Sequence, residues 1–157
     1  GHEPELMSIS VEENVALGDD VDIDKWLKVV CLDEEIVAMK DGKDTLIGAA
    51  GTQLSGGQQA RLALARTLAH ARSILILDDP LAAVDKNTET KILQNIKEEM
   101  SDRVILWITH RLYHFPEMDH VLFIHDGTAE YTTHAELMEK QSLYRHLYQM
   151  EGCDLDD

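Results

Sequence analysis

A serine followed by two glycines opens the segment with the clearest chemistry, Leu54–Arg61, which reads LSGGQQAR. Backbone N–H groups at a helix start have no intrahelical partner, and glycine leaves them accessible. Together with the helix dipole, such groups favour a bound anion. A plain helix cap, in which Ser55 and Gln58 form a Ser-x-x-Gln pair, explains the same residues without any ligand. Taken alone, the segment therefore predicts either an anion site or a structural cap.

Two carboxylates, Asp78 and Asp79, follow the aliphatic run Ile74–Leu77. The run does not alternate with polar residues, which predicts a strand buried on both faces. Because α/β folds bind ligands at the carboxyl ends of parallel strands, Asp78 could hold Mg²⁺ through water there. An acidic turn after a strand is also common without any ligand. His110 follows the next aliphatic run, Val104–Ile108, and is expected at the same edge of the sheet.

Periodic patterns predict the elements that position these residues. The expected helices span residues 21–39, 56–70, 87–100 and 133–148, and the expected strands span 73–77, 104–108 and 121–124, the last ending in an Asp126-Gly127 hairpin turn. Buried strands alternating with helices predict an α/β fold with a largely parallel sheet. We expect a helical subdomain at residues 1–70, with Gly1 and His2 as a cloning remnant, and an α/β lobe at residues 71–157.

Composition and charge exclude several classes of protein. The 157 residues carry 14 Lys and Arg against 30 Asp and Glu, a net charge of −16. This balance argues against a nucleic-acid-binding surface, which needs clustered basic residues. The sequence has no apolar run of about 20 residues, the length required for a transmembrane helix. Cys31 and Cys153 form no metal-type pair and fit a reducing, cytosolic compartment.

The order of the motifs resembles the second half of the nucleotide-binding domain of an ABC exporter. LSGGQ at residues 54–58 is similar to the signature motif, and ILILDDP at residues 74–80 is similar to the Walker B segment. The D-loop would follow at Ala82–Asp85 and the H-loop at Ile108–Arg111. Residues 11–18, 44–51 and 125–136 resemble the segment after the Q-loop, the X-loop and the exporter segment read as DxGxxxxxGxHxE. The match covers nearly the whole chain.

This resemblance implies part of a P-loop NTPase fold, an ABC-type ATPase that uses ATP and Mg²⁺, and coupling of ATP hydrolysis to export. The signature motif of one domain would complete the ATP site of a second nucleotide-binding domain in trans. A transmembrane domain of the same transporter would place the parent protein at the cytoplasmic face of the cell membrane. The implied site residues are Asp79 and His110 for catalysis, Asp78 for Mg²⁺ through water, Ser55, Gly56, Gly57 and Gln58 for the partner's nucleotide, and Asp85 of the D-loop for nucleotide binding.

Several departures from the family pattern qualify that expectation. The sequence contains no Gly-x-x-x-x-Gly-Lys-Ser/Thr loop, the Walker A motif that cradles the β- and γ-phosphates. The Q-loop glutamine would fall near His2, so we expect a soluble piece, cut at or just after the Q-loop and inactive alone. Asp79 stands where the family usually has glutamate, Ala82 where serine is usual, and Ala49 where glutamate is usual.

A weakened Walker B beside an intact signature resembles the degenerate-site half of a heterodimeric exporter. Shortening a catalytic carboxylate by about 1 Å can lower a rate roughly a hundredfold. Two other functions stay open: the C-terminal ATPase lobe of an SMC-type chromosome protein, and a non-catalytic interaction module acting through the acidic helical lobe. An SMC-type lobe would show heptads before the signature and a basic surface, and the sequence has neither.

Overall fold

The computed structural model describes residues 5–48 and 51–151, and the chain divides into two compact units, Gly1–Ile108 and Thr109–Asp157. The residues predicted as a cloning remnant and the Q-loop position, together with Ala49 and Cys153, lie outside the described residues. The first unit contains α1 (Val11–Ala16), α2 (Ile23–Val29), α3 (Asp33–Val37), α4 (Gly56–Ala69), β1 (Ile74–Asp78), α5 (Lys86–Glu99) and β2 (Val104–Ile108). The second contains β3 (Val121–His125), β4 (Thr128–Thr132), α6 (His134–Lys140) and α7 (Ser142–Met150). Short 3₁₀ turns span Gly42–Asp44 and Leu112–Glu117.

The helix predicted over residues 21–39 is wrong as a single element, because the chain breaks between α2 and α3. Cys31 adopts a left-handed conformation with φ of 54°. Its N–H donates to the carbonyl of Lys28 at 3.0 Å, and the N–H of Leu32 donates to that of Leu27 at 2.9 Å. This pair of bonds is the Schellman ending, which usually has glycine at the left-handed position. Because cysteine rather than glycine occupies this position, the sequence contains no signal for the break.

Strands β1 and β2 pair in parallel, which confirms the α/β class, with Ile74 opposite Val104 and Asp78 opposite Ile108. One face of this pair packs on the helical core through Leu75 and Leu77, which are 6% and 4% exposed. The prediction of burial on both faces is wrong for the described chain. The opposite face, here called the open sheet face, exposes five aliphatic side chains: Ile74, Ile76, Val104, Leu106 and Ile108.

We expect the 157-residue chain to self-associate through the open sheet face, because exposed aliphatic surface on paired strands favours association with another copy. A double substitution, Ile76→Lys with Leu106→Lys, should shift the molecule to monomer. Light scattering across a wide concentration range measures this. Val37→Lys, which removes an exposed apolar side chain on α3, is the control and should leave self-association intact. A wild-type chain that stays monomeric at every concentration contradicts the prediction.

The second unit is built on the antiparallel pair β3–β4, joined as predicted by Asp126 and Gly127 with φ of 45° and 75°. Two consecutive positive φ values are typical of the type I′ hairpin turn. Thr133 caps α6 by accepting the N–H of Glu136 at 3.3 Å. The predicted final helix is divided into α6 and α7, because Gln141 is extended with ψ of 102°.

No helix within the described ranges has the length and apolar character that crossing a membrane requires.

Candidate functional site

Ser55 begins α4 with a reciprocal capping box. Its Oγ accepts the N–H of Gln58 at 3.2 Å, and Gln58 Oε1 accepts the N–H of Ser55 at 2.8 Å. The next two N–H groups, those of Gly56 and Gly57, occupy the first helical positions and have no intrahelical acceptor. The cap and the anion site, offered as alternatives by the sequence, are therefore compatible. The cap fixes the helix start, and the glycine N–H groups stay available to a ligand.

Gly57 lies against the D-loop of the same chain. A Cβ built on Gly57 would sit 3.0 Å from the carbonyl oxygen of Ala83, whereas one built on Gly56 would meet the Ala83 side chain at 3.7 Å. The first distance is tighter than ordinary packing and the second is ordinary van der Waals contact. Close approach of the backbone therefore favours glycine at position 57.

Behind the signature, Arg61 joins α4 to the α2–α3 region. Its guanidinium is largely buried, donates to the carbonyls of Cys31 and Gly57, and forms a 2.7 Å ion pair with Glu35 of α3. Glu35 also accepts the side-chain N–H of Gln58 at 2.7 Å. Burial raises the pKa of the Glu35 carboxyl, but the hydrogen bonds from Gln58 and Arg61 outweigh it, so the pKa is lowered overall.

The two Walker B carboxylates end β1 in different surroundings. Asp78 is exposed. Asp79 is half-buried and left-handed, with φ of 46°, and its N–H donates to the carbonyl of Ile108 at 2.7 Å. That bond continues the β1–β2 pairing while the chain turns sharply, and it fixes the base of the Asp79 side chain.

Asp85, at the end of the D-loop, serves as the N-cap of α5. Its carboxylate accepts the N–H of Thr88 at 3.0 Å, and this hydrogen bond lowers the pKa of the carboxyl. His110 is exposed and belongs to the second compact unit. Among the described residues, no three His, Cys, Asp or Glu side chains converge as a metal site. A metal at Asp78 would depend on one carboxylate, water and the phosphates of a ligand.

The motif order suggests a nucleotide-binding domain. A family model described as ABC transporter matches residues 2–82. The chain belongs to the ABC transporter family. Its signature segment, Walker B strand and D-loop all lie in the first compact unit.

Curated relatives of the ABC transporter family align with nearly all of this chain. The glutathione/L-cysteine transport system ATP-binding/permease protein CydD of Bacillus subtilis is 35% identical over 153 residues, 94% of this chain and 27% of the relative. An ATP-dependent lipid A-core flippase of Alcanivorax borkumensis is 37% identical over 151 residues, 92% of this chain and 26% of the relative. The chain thus spans about a quarter of the length of these relatives.

A solved structure shares the fold. The structure of a bacterial Atm1-family ABC exporter with ATP bound superposes with a TM-score of 0.87 at 30% sequence identity, over 97% of this chain and 28% of that chain. This similarity confirms the prediction of a partial P-loop NTPase fold of the exporter type.

The structure brings together the signature segment and the D-loop, but the sequence interpretation missed Glu35 and Arg61. Glu35 lies 23 residues before Gln58, and Arg61 lies 30 residues after Cys31. Glu35 is one of three consecutive acidic residues, Asp33–Glu35, and nothing in the sequence distinguishes it from its neighbours. Only the short helix α3 turns this carboxylate towards the signature.

Proposed function

We propose that this chain is part of the ATP-binding domain of an ABC exporter and couples ATP binding and hydrolysis in a domain dimer to transport. One observation carries the proposal: the start of α4 presents the N–H groups of Gly56 and Gly57 beside a capped Ser55. Backbone donors at a helix N-terminus suit a phosphate group. The relatives named above as ATP-binding/permease proteins and flippases support this function.

In this proposal the signature acts in trans on ATP held by a second nucleotide-binding domain. Ser55, Gly56, Gly57 and Gln58 form the face offered to that nucleotide. Because Ser55 Oγ accepts the Gln58 N–H, its own hydrogen can be donated to a phosphate oxygen. The two glycine N–H groups add donors without a side chain in the way.

The chain also contributes residues to its own ATP site. Asp78 would hold Mg²⁺ through water, Asp79 would orient the attacking water, and Asp85 would contribute to nucleotide binding. His110, in the second compact unit, is proposed as a second catalytic residue. Mg²⁺, when bound, neutralises charge on the β- and γ-phosphates. The short side chain of Asp79, fixed at a left-handed position, favours a weakly hydrolysing site and hence a heterodimer whose partner holds the competent site.

Since the matched relatives are combined ATP-binding and permease proteins, we propose that a transmembrane domain of the same transporter is the second partner. The ATP-binding domain would then work at the cytoplasmic face of the cell membrane. The acidic charge of −16 supports neither a nucleic acid partner nor an SMC-type function.

We expect the 157-residue chain alone to bind Mg-ATP only weakly, because its sequence has no Walker A loop to clamp the phosphates. Calorimetric titration of the chain with Mg-ATP, without and with a nucleotide-binding domain that carries Walker A, tests the proposal. Binding of that domain should depend on ATP. Low-micromolar ATP affinity of the chain alone contradicts the prediction. Tight, nucleotide-independent binding of the partner would instead indicate an interaction module.

A further inference from the structure

The side chain of Gln58 makes a hydrogen bond at each end of its amide within its own chain. Its Oε1 accepts the N–H of Ser55 at 2.8 Å, and its Nε2 donates to Glu35 Oε2 at 2.7 Å. The two ends of an amide differ, since oxygen only accepts and nitrogen only donates. A carboxylate beside Nε2 therefore permits only one of the two amide orientations, the one that places Oε1 against Ser55.

The negative charge of Glu35 does not act alone beside the signature. Its second oxygen pairs with the Arg61 guanidinium at 2.7 Å, and Arg61 donates in addition to the carbonyls of Gly57 and Cys31. The pair brings a carboxylate to Gln58 while offsetting the charge that would otherwise repel an anion at the helix start. Arg61 also ties the first turn of α4 to the Schellman ending of α2.

We propose that Glu35 is a positioning residue for the signature: by orienting the Gln58 amide it keeps Ser55 capped and holds the Gly56 and Gly57 N–H groups in place for the partner's nucleotide. The catalytic part of this inference depends on the function proposed above. The structural part, the capping of Ser55, does not. Gln58 therefore supports this face through the cap as well, while the serine hydroxyl and the glycine N–H groups supply donors to the nucleotide.

Without Glu35, only the Ser55 N–H selects the amide orientation, so the rotated form becomes more populated. In the rotated form Nε2 faces the Ser55 N–H, donor against donor, so the reciprocal cap is lost. The first turn of α4 then frays, and the glycine N–H groups lose their fixed direction. A preorganised donor is worth more to a reaction than one that must be ordered at each turnover.

The experiment uses the full-length transporter with its partner domain and measures two quantities. The first is hydrogen–deuterium exchange at the Ser55 amide. The second is steady-state ATP hydrolysis. Glu35→Ala should speed exchange at Ser55 by at least roughly threefold and lower hydrolysis by a similar factor, the size of effect typical of a lost helix cap. Glu35→Gln should give values between those of wild type and Glu35→Ala, because its amide oxygen can still accept from Gln58.

Glu34→Ala is the matched control, because Glu34 is exposed and the substitution removes the same charge from the same helix. It should change neither quantity. The double variant Glu35→Ala with Gln58→Ala should hydrolyse ATP no more slowly than Gln58→Ala alone, because the first residue acts through the second. Additive losses in the double variant would overturn the proposal, as would unchanged exchange at Ser55 in Glu35→Ala. If exchange changes as expected but Gly57→Asp leaves hydrolysis intact, the proposed function fails while the positioning role stands.

Discussion

Gly57→Asp is expected to abolish most ATP hydrolysis by the full-length transporter. The new side chain places a carboxylate at the proposed anion site, where it repels phosphate and competes with it for the positive end of the helix dipole. Its Cβ also meets the Ala83 carbonyl oxygen at 3.0 Å, so the signature or the D-loop must shift. Steady-state ATPase assays with a wild-type partner should show turnover at least about tenfold below that of Asp79→Asn, or about 1.4 kcal/mol of barrier.

Two further variants separate charge from space. Gly57→Ala keeps the steric contact and adds no charge, so its loss should lie between that of Gly57→Asp and that of Gly56→Ala. Gly56→Ala meets Ala83 only at 3.7 Å and should show the smallest loss of the three.

If Asp79→Asn is as damaging as Gly57→Asp, then Asp79 is a working base and the degenerate-site proposal fails.

Asp79→Glu is expected to raise hydrolysis at this chain's own site by at least about tenfold. The added methylene restores the reach of a carboxylate whose shortening can reduce a rate roughly a hundredfold. Part of that gain is lost, because Asp79 has φ of 46° and glutamate tolerates a left-handed backbone less well than aspartate, by about 1 kcal/mol. Turnover should be measured with a partner subunit whose own catalytic carboxylate has been removed.

Asp79→Asn is the control for this gain, since asparagine also accepts the left-handed backbone and has nearly the same size but no charge. It should leave the low turnover nearly unchanged. An Asp79→Glu variant that hydrolyses ATP no faster than wild type in that background would show that carboxylate length does not limit this site.

Local signals in the sequence predicted those elements whose ends carry the residue types usual for caps and turns. The helix at Gly56–Ala69 begins at a serine cap, and the hairpin turns at Asp126-Gly127, so both were correctly placed. The break at Cys31 could not be predicted, because the left-handed ending is held by backbone hydrogen bonds rather than by a glycine. Burial of β1 on both faces was expected from its unbroken aliphatic run, but exposure depends on what covers a strand.

The candidate site was predictable where its chemistry is local and hidden where it joins distant segments. The capping pair Ser55 and Gln58 is visible from spacing alone. The Glu35 contact depends on where α3 starts, since a shift of one residue would turn Glu34 towards the signature instead. The approach of Ala83 to Gly57 is a main-chain contact, and no side-chain pattern reports it.

That main-chain contact has a genetic consequence. A defect at position 57 caused by a collision with a side chain could be relieved by a smaller residue at the opposing position. The obstacle here is the carbonyl oxygen of Ala83, which every amino acid carries. No simple replacement of residue 83 removes it, so a Gly57 variant has no direct second-site suppressor at the contact, and recovery of function would favour reversion to glycine.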